Sequence, residues 1–257
     1  MSFTPIRTLC GTIVAVLILG IAVMLTIAIV PDASAGSAAW QSTNFQYLYG
    51  SGFKLGAKER STITVEHANA WKYGDNFFFL DATDPETNRS GSSTALYAEL
   101  SPRFSLSKIT NSNLSFPLVK DVLVATTLEM GQGFHNYLYG VGLSLDLPKF
   151  AFADLNMYVR NDPKQYGVTY QITPCWALPF TIGPAKMLFE GFVDIAGAEG
   201  SSEFNIDAQP RLLLDVGNFW GAPDSLFAGT EVIYWHNKFG VKDVKETAPQ
   251  AMVKWVF

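Results

Sequence analysis

Charge is scarce in this chain. Asp, Glu, Lys and Arg make up 16% of its 257 residues, where a soluble domain carries about a quarter. Histidine is scarcer, with only His67, His135 and His236, which fall at expected strand ends or in loops. Their spacing provides neither a metal triad nor a nucleophile triad, so the chain reads as a non-enzyme without metal or cofactor. Two cysteines are present. Cys10 belongs to the leader and Cys175 stands alone, which excludes a disulfide framework and a cysteine-based metal site from the mature chain. A formal charge of −5 argues against a polymeric nucleic-acid partner. A second long apolar run is also missing. Beyond residue 35 no stretch approaches the roughly 20 apolar residues of a membrane-spanning helix.

The one long apolar run that exists is N-terminal. Arg7 precedes Gly11 to Val30, which carries no charge, and Ala33-Ser34-Ala35 follows. A basic residue, an apolar core and an A-x-A site describe a secretory signal peptide over residues 1–35. A retained anchor helix is the alternative. Residues 36–257 form the mature domain.

What fills that domain is alternation. In Glu66 to Asp81 (EHANAWKYGDNFFFLD), two segments of period two flank a turn expected over Asn69 to Gly74. Asp75, Phe77, Phe79 and Asp81 share one face, Asn76, Phe78 and Leu80 the other, as in a half-buried strand. The pattern recurs without a helical interruption. Strands are expected over 41–50, on either side of that turn, and over 94–105, 121–130, 137–147, 150–160, 166–173, 187–196, 204–215, 226–235 and 247–257. Pro174 to Pro184 reads as a broken connection and Ser107 to Leu118 as a long one.

Twelve strands is an even number, as in bacterial outer-membrane barrels. The leader exports the chain, and an aromatic strand closes it at Phe257. Aromatic residues gather near strand ends (Trp40, Tyr49, Trp71, Tyr73, Tyr137, Tyr166, Trp235, Trp255), as interfacial girdles do. The expected fold is all-β, a twelve-stranded antiparallel transmembrane β-barrel integral to the outer membrane. With termini in the periplasm, outer loops fall at 51–60, 83–93, 131–135, 161–164, 197–203 and 236–245.

The run Glu99 to Gly131 (ELSPRFSLSKITNSNLSFPLVKDVLVATTLEMG) resembles the Tsx-like nucleoside-specific channel family in its E-x-x-P-R-F-S and K-x-T-N-x-x-L-S-F elements. AWKYGDNFFFLD is similar to the OmpK branch, and Tyr234-Trp235-His236 resembles a further family element. The resemblance covers nearly all of the mature chain. It implies a monomeric twelve-stranded barrel in outer-membrane lipid with a narrow channel for nucleosides and deoxynucleosides. In some members the outer loops also serve phages or colicins.

Phase assigns the lumen. Charge facing lipid is costly, so the face with Asp75 and Asp81 points inward. Lumen candidates for substrate binding are Phe77, Phe79, Glu66, Tyr97, Glu99, Arg103, Glu129, Asp207, Arg211, Glu231 and Trp235. Asp75, Asp146, Tyr158, Arg160, Glu190, Phe192 and Asp194 share that side. Aromatic faces in a wet channel offer stacking to a base, and the charged groups offer donors and acceptors to ribose hydroxyls. The bland alternative is neutralisation of acid by base within a packed lumen, for instance Glu99 by Arg103. Two other functions stay open: a general small-solute pore, and a surface receptor or structural barrel with an occluded lumen.

Overall fold

The computed structural model describes residues 38–84 and 94–257. The expected signal peptide and residues 85–93 of one expected outer loop lie outside the described residues. The strands are β1 (Ala38–Ser51), β2 (Glu59–Trp71), β3 (Gly74–Thr83), β4 (Ala95–Ser105), β5 (Val119–Gly131) and β6 (Phe134–Leu145). They continue as β7 (Phe152–Asn161), β8 (Thr169–Ile182), β9 (Ala185–Ala196), β10 (Asn205–Ala208 and Arg211–Asp215), β11 (Leu226–His236) and β12 (Glu246–Val256). Each pairs antiparallel with its chain neighbours. β1 also pairs with β12, Phe45 opposite Trp255, so the sheet closes on itself as a twelve-stranded barrel. Closure leaves no unpaired edge, the condition for crossing a bilayer with strands. Among the described residues no helix is long and apolar enough to cross one.

Burial runs opposite to that of a water-soluble protein. Asn44, Gln46, Glu129, Asn136, Asp154, Asn156, Gln171, Asp207, Glu231, Gln250 and Lys254 are buried, whereas Tyr47, Val65, Leu100, Val141, Val159, Val253 and Trp255 are exposed. Polar-in and apolar-out alternation is the physics of a barrel whose outer solvent is lipid. Two apolar clusters lie inside among the described residues, the smaller made of Ala125, Leu138 and Tyr158. In the larger, Leu48, Leu213, Phe227 and Met252 pack together, joined by Leu188 and Val256, and fill the lumen on the side of β9 to β12 and β1.

Three elements differ from expectation. The first turn is shorter: β2 runs through Trp71 and β3 starts at Gly74, so only Lys72 and Tyr73 turn. Gly74 is required there, because a Cβ would collide with the Arg103 carbonyl oxygen of the paired strand. The Pro-rich stretch after Thr173 is not a connection, since β8 continues to Ile182. Pro174 falls in a gap of the β8–β9 ladder between Ile172 and Cys175, where no amide donor is needed. β10 is broken at Gln209–Pro210, yet both pieces keep one register against β9 and β11. The Pro210 carbonyl still accepts from the Val232 amide at 3.1 Å.

The Ser107 to Leu118 connection begins as a short helix, α1 (Leu106–Thr110), capped by Ser105, whose hydroxyl accepts from the Lys108 amide.

Candidate solute pathway

The lumen is lined by three ion-pair networks and one aromatic track. Each network gathers around an arginine. Arg103 on β4 reaches Asp75 on β3 (2.7 Å) and Asp154 on β7 (3.0 Å). Arg160 on β7 grips Glu129 on β5 through both its terminal nitrogens (2.5 and 2.6 Å) and also donates to Gln171 at 2.7 Å. Arg211 on β10 pairs with Glu231 at 2.6 Å and extends to Glu66 at 3.5 Å and Glu190 at 3.7 Å. Lys254 on β12 closes this last group on Glu190 at 2.7 Å. Asn44, Gln46 and Gln250 donate to its carboxylates. Planar bidentate geometry holds such guanidinium contacts rigidly.

The aromatic track follows strands β3, β4 and β6. Phe77 and Phe79 stand 6.0 Å apart between ring centroids, Phe79 and Tyr97 5.7 Å, Tyr97 and Phe134 6.2 Å. The last two rings are nearly parallel, 25° between planes. Register puts Phe79 opposite Glu99 and Tyr97 opposite Asp81, so carboxylates border the rings. The track climbs from mid-barrel to the end where β3 finishes and β4 begins.

At that same end the last loop folds inward. The Lys238 ammonium pairs with Glu246, and both side chains are buried, 4% and 0% exposed. Lys238 also lies within 5.1–5.8 Å of the Phe239, Phe53 and Trp235 rings. Glu246 accepts from the Lys54 amide at 2.7 Å, which ties the first outer loop to the last. Burial pulls the Lys238 ammonium below its usual range, against the opposite pull of Glu246.

All eleven expected lumen candidates are on strand faces that turn inward. Phe77, Phe79 and Tyr97 come together in the track. Glu66, Arg211 and Glu231 come together in the third network. Arg103 and Glu129 belong to separate networks, and Trp235 stands at the mouth beside Phe239. Glu99 and Arg103 do not neutralise each other: Glu99 accepts from the Tyr97 hydroxyl at 2.5 Å, and Arg103 is taken by Asp75 and Asp154. Asp146 is a correction. It lies past the end of β6, its side chain 73% exposed, paired outside the lumen with Lys120. His67 stands within β2 rather than at its end, and shares a hydrogen bond with Thr43 at 2.8 Å.

Sequence reasoning left Phe134, Asp154 and Lys254 off the lumen, along with amide side chains such as Gln46 and Asn136. Phe134 reads as loop, because Gly131 to His135 contains two glycines; the turn is only Gln132–Gly133. Asp154 and Lys254 share faces with Asn156 and Met252, and continuing the alternation by one step reaches them.

A closed antiparallel barrel with an apolar exterior and an ion-paired lumen defines an integral outer-membrane β-barrel protein. The family model described as nucleoside-specific channel-forming protein, Tsx, matches residues 35–255, and the chain belongs to that family. A relative, outer membrane protein OmpK of Vibrio parahaemolyticus, is 26% identical over 177 residues, which is 67% of this chain and 66% of OmpK. The match thus spans just under two thirds of that relative. Among solved structures, the KdgM porin in complex with disordered oligogalacturonate aligns with a TM-score of 0.50 at 10% identity, covering 84% of this chain and 99% of that one. KdgM porin alone aligns with a TM-score of 0.49 over the same shares. At this identity the likeness is one of fold.

Proposed function

We propose that this protein is an outer-membrane channel for the passive diffusion of nucleosides and deoxynucleosides. The observation that carries this reading is the continuous track Phe77–Phe79–Tyr97–Phe134 along the lumen, bordered by carboxylates. Stacking on such rings is worth about 1–3 kcal/mol per base in single-strand binders, and several weak sites in series allow entry without trapping. Glu99 and Asp81 beside the rings supply acceptors for ribose hydroxyls or base edges. Family membership supports the same solute class. Residues 1–35 act in this reading as a signal peptide removed on export, which the mass of the mature protein tests directly.

The test of function is liposome swelling with purified, refolded protein, comparing thymidine or adenosine with a sugar of similar mass. Faster nucleoside entry is expected. Flux ordered by size alone would make the protein a general small-solute pore. No flux through a correctly folded barrel would transfer its role to the outer loops.

A further inference from the structure

Two pairs of like charge face each other inside the upper half of the barrel. Glu99 stands directly opposite Glu129 in the β4–β5 register, and Asp194 opposite Asp207 in the β9–β10 register. Asp81 on β3 adds a carboxylate opposite Tyr97. Like charges directly opposite on one sheet face are destabilising, so a fold gains nothing by placing two such pairs side by side. Of these five carboxylates only Glu129 has an ion-pair partner among the described residues, Arg160. The others are held by neutral donors: Tyr97 to Glu99 at 2.5 Å, Thr173 to Asp194 at 2.5 Å, Gln209 to Asp207 at 3.0 Å and Thr64 to Asp81 at 2.5 Å. The cations at this end are Arg160, bound to Glu129, and Lys238, bound to Glu246, so each already has its carboxylate; Arg103, Arg211 and Lys254 belong to the other networks.

A second observation points to a ligand of positive charge. Asn136, 4% exposed, donates its amide to Glu129 while its carbonyl oxygen Oδ1 has no partner. Asp207, 7% exposed, likewise leaves Oδ1 unpartnered. Buried acceptors are normally satisfied, and here only acceptors are left over. The rings of Tyr97 and Phe134 adjoin the same carboxylates, and aromatic faces attract cations, quaternary ammonium groups above all.

We infer that the upper lumen is a cation filter, which admits organic cations with an ammonium head as a second solute class beside nucleosides. The inference rests on the channel reading for an open path. It does not rest on nucleoside preference, because nucleosides carry no charge for the ring to select.

Its test uses the purified protein in planar bilayers under a gradient of potassium chloride, then of choline chloride, at pH 8. Potassium and choline should each pass about tenfold more readily than chloride, the scale on which a charged cleft enriches its counter-ion. The E99Q/D194N/D207N variant should approach equal permeability. F134A, which leaves every carboxylate in place, should lower choline relative to potassium. Folding of each variant is checked by heat-modifiable gel mobility. Thymidine swelling of liposomes should survive D194N, which leaves Glu99, Asp81 and the rings in place. Equal cation and anion permeability in the native protein, or selectivity unchanged in a folded triple variant, overturns the filter while leaving nucleoside transport standing. Absence of any conductance overturns both.

Discussion

Arg211 on β10 meets Glu66 on β2 across the lumen, 3.5 Å apart, although the two strands share no hydrogen-bonded register. The contact spans the interior and narrows it. Replacing Glu66 with Ala leaves Arg211 with Glu231 and removes the acceptor of Asn44 and Gln46. Single-channel conductance should rise, with a loss of about 1–3 kcal/mol of stability from the unpaired donors. Conductance unchanged in a folded E66A barrel would show that this bridge does not bound the pathway.

Removing one ring from the aromatic track should weaken nucleosides selectively. F79A interrupts it between Phe77 and Tyr97. Loss of stacking worth about 1.4 kcal/mol is tenfold in affinity, readable as weaker block of ionic current by thymidine. Sugar entry should change little. An equal loss for both solutes would mean that the rings shape the pore without recognising the base.

The Lys238–Glu246 pair should behave as a buried ion pair in which one partner cannot be spared. K238M leaves Glu246 uncompensated and should cost about 3–5 kcal/mol in urea unfolding. K238M/E246Q should recover most of it, because a neutral side-chain amide at that position can still accept from the Lys54 amide. The sign of the pH effect follows from burial. The folded state holds the Lys238 ammonium below its usual 10.5, so between that lowered value and 10.5 the unfolded chain binds more protons. Stability therefore gains from this group as pH rises through that window, and K238M should flatten the gain.

Glycines on β6 should differ in tolerance. A Cβ on Gly140 would collide with the Met157 carbonyl oxygen, which is backbone of β7, whereas on Gly142 the near atom is the Asn156 side-chain oxygen at 2.7 Å. A side chain can swing aside and a paired strand cannot. G140A should therefore lower stability by about 1–3 kcal/mol and G142A by less, measured side by side in the same micelles. Equal costs would show that β6 and β7 can separate.

Alternation by itself determined the class of fold, the number of strands and the inward face of each. Side-chain direction in a strand is set locally with a period of two, so a residue's neighbours in sequence are enough to tell lumen from lipid. That is why Phe77, Glu99, Arg103 and Glu231 could be assigned before any partner was known. The same local logic failed where backbone chemistry misleads. Prolines in β8 read as a break because a ladder gap supplied by β9 is invisible from β8 alone, and Phe134 was hidden by the glycines of a tight turn.

Partnership belonged to the tertiary structure. Arg103 and Glu99 lie four residues apart on one face, yet each chose another partner: Arg103 bonds Asp75 and Asp154, and Glu99 bonds the Tyr97 hydroxyl. Closure of the sheet carries Arg211 to Glu66, and the pairing of neighbouring strands stands Glu99 against Glu129 and Asp194 against Asp207. A period of two says which way a side chain points. Only the register of strands far apart in the chain says what it meets there.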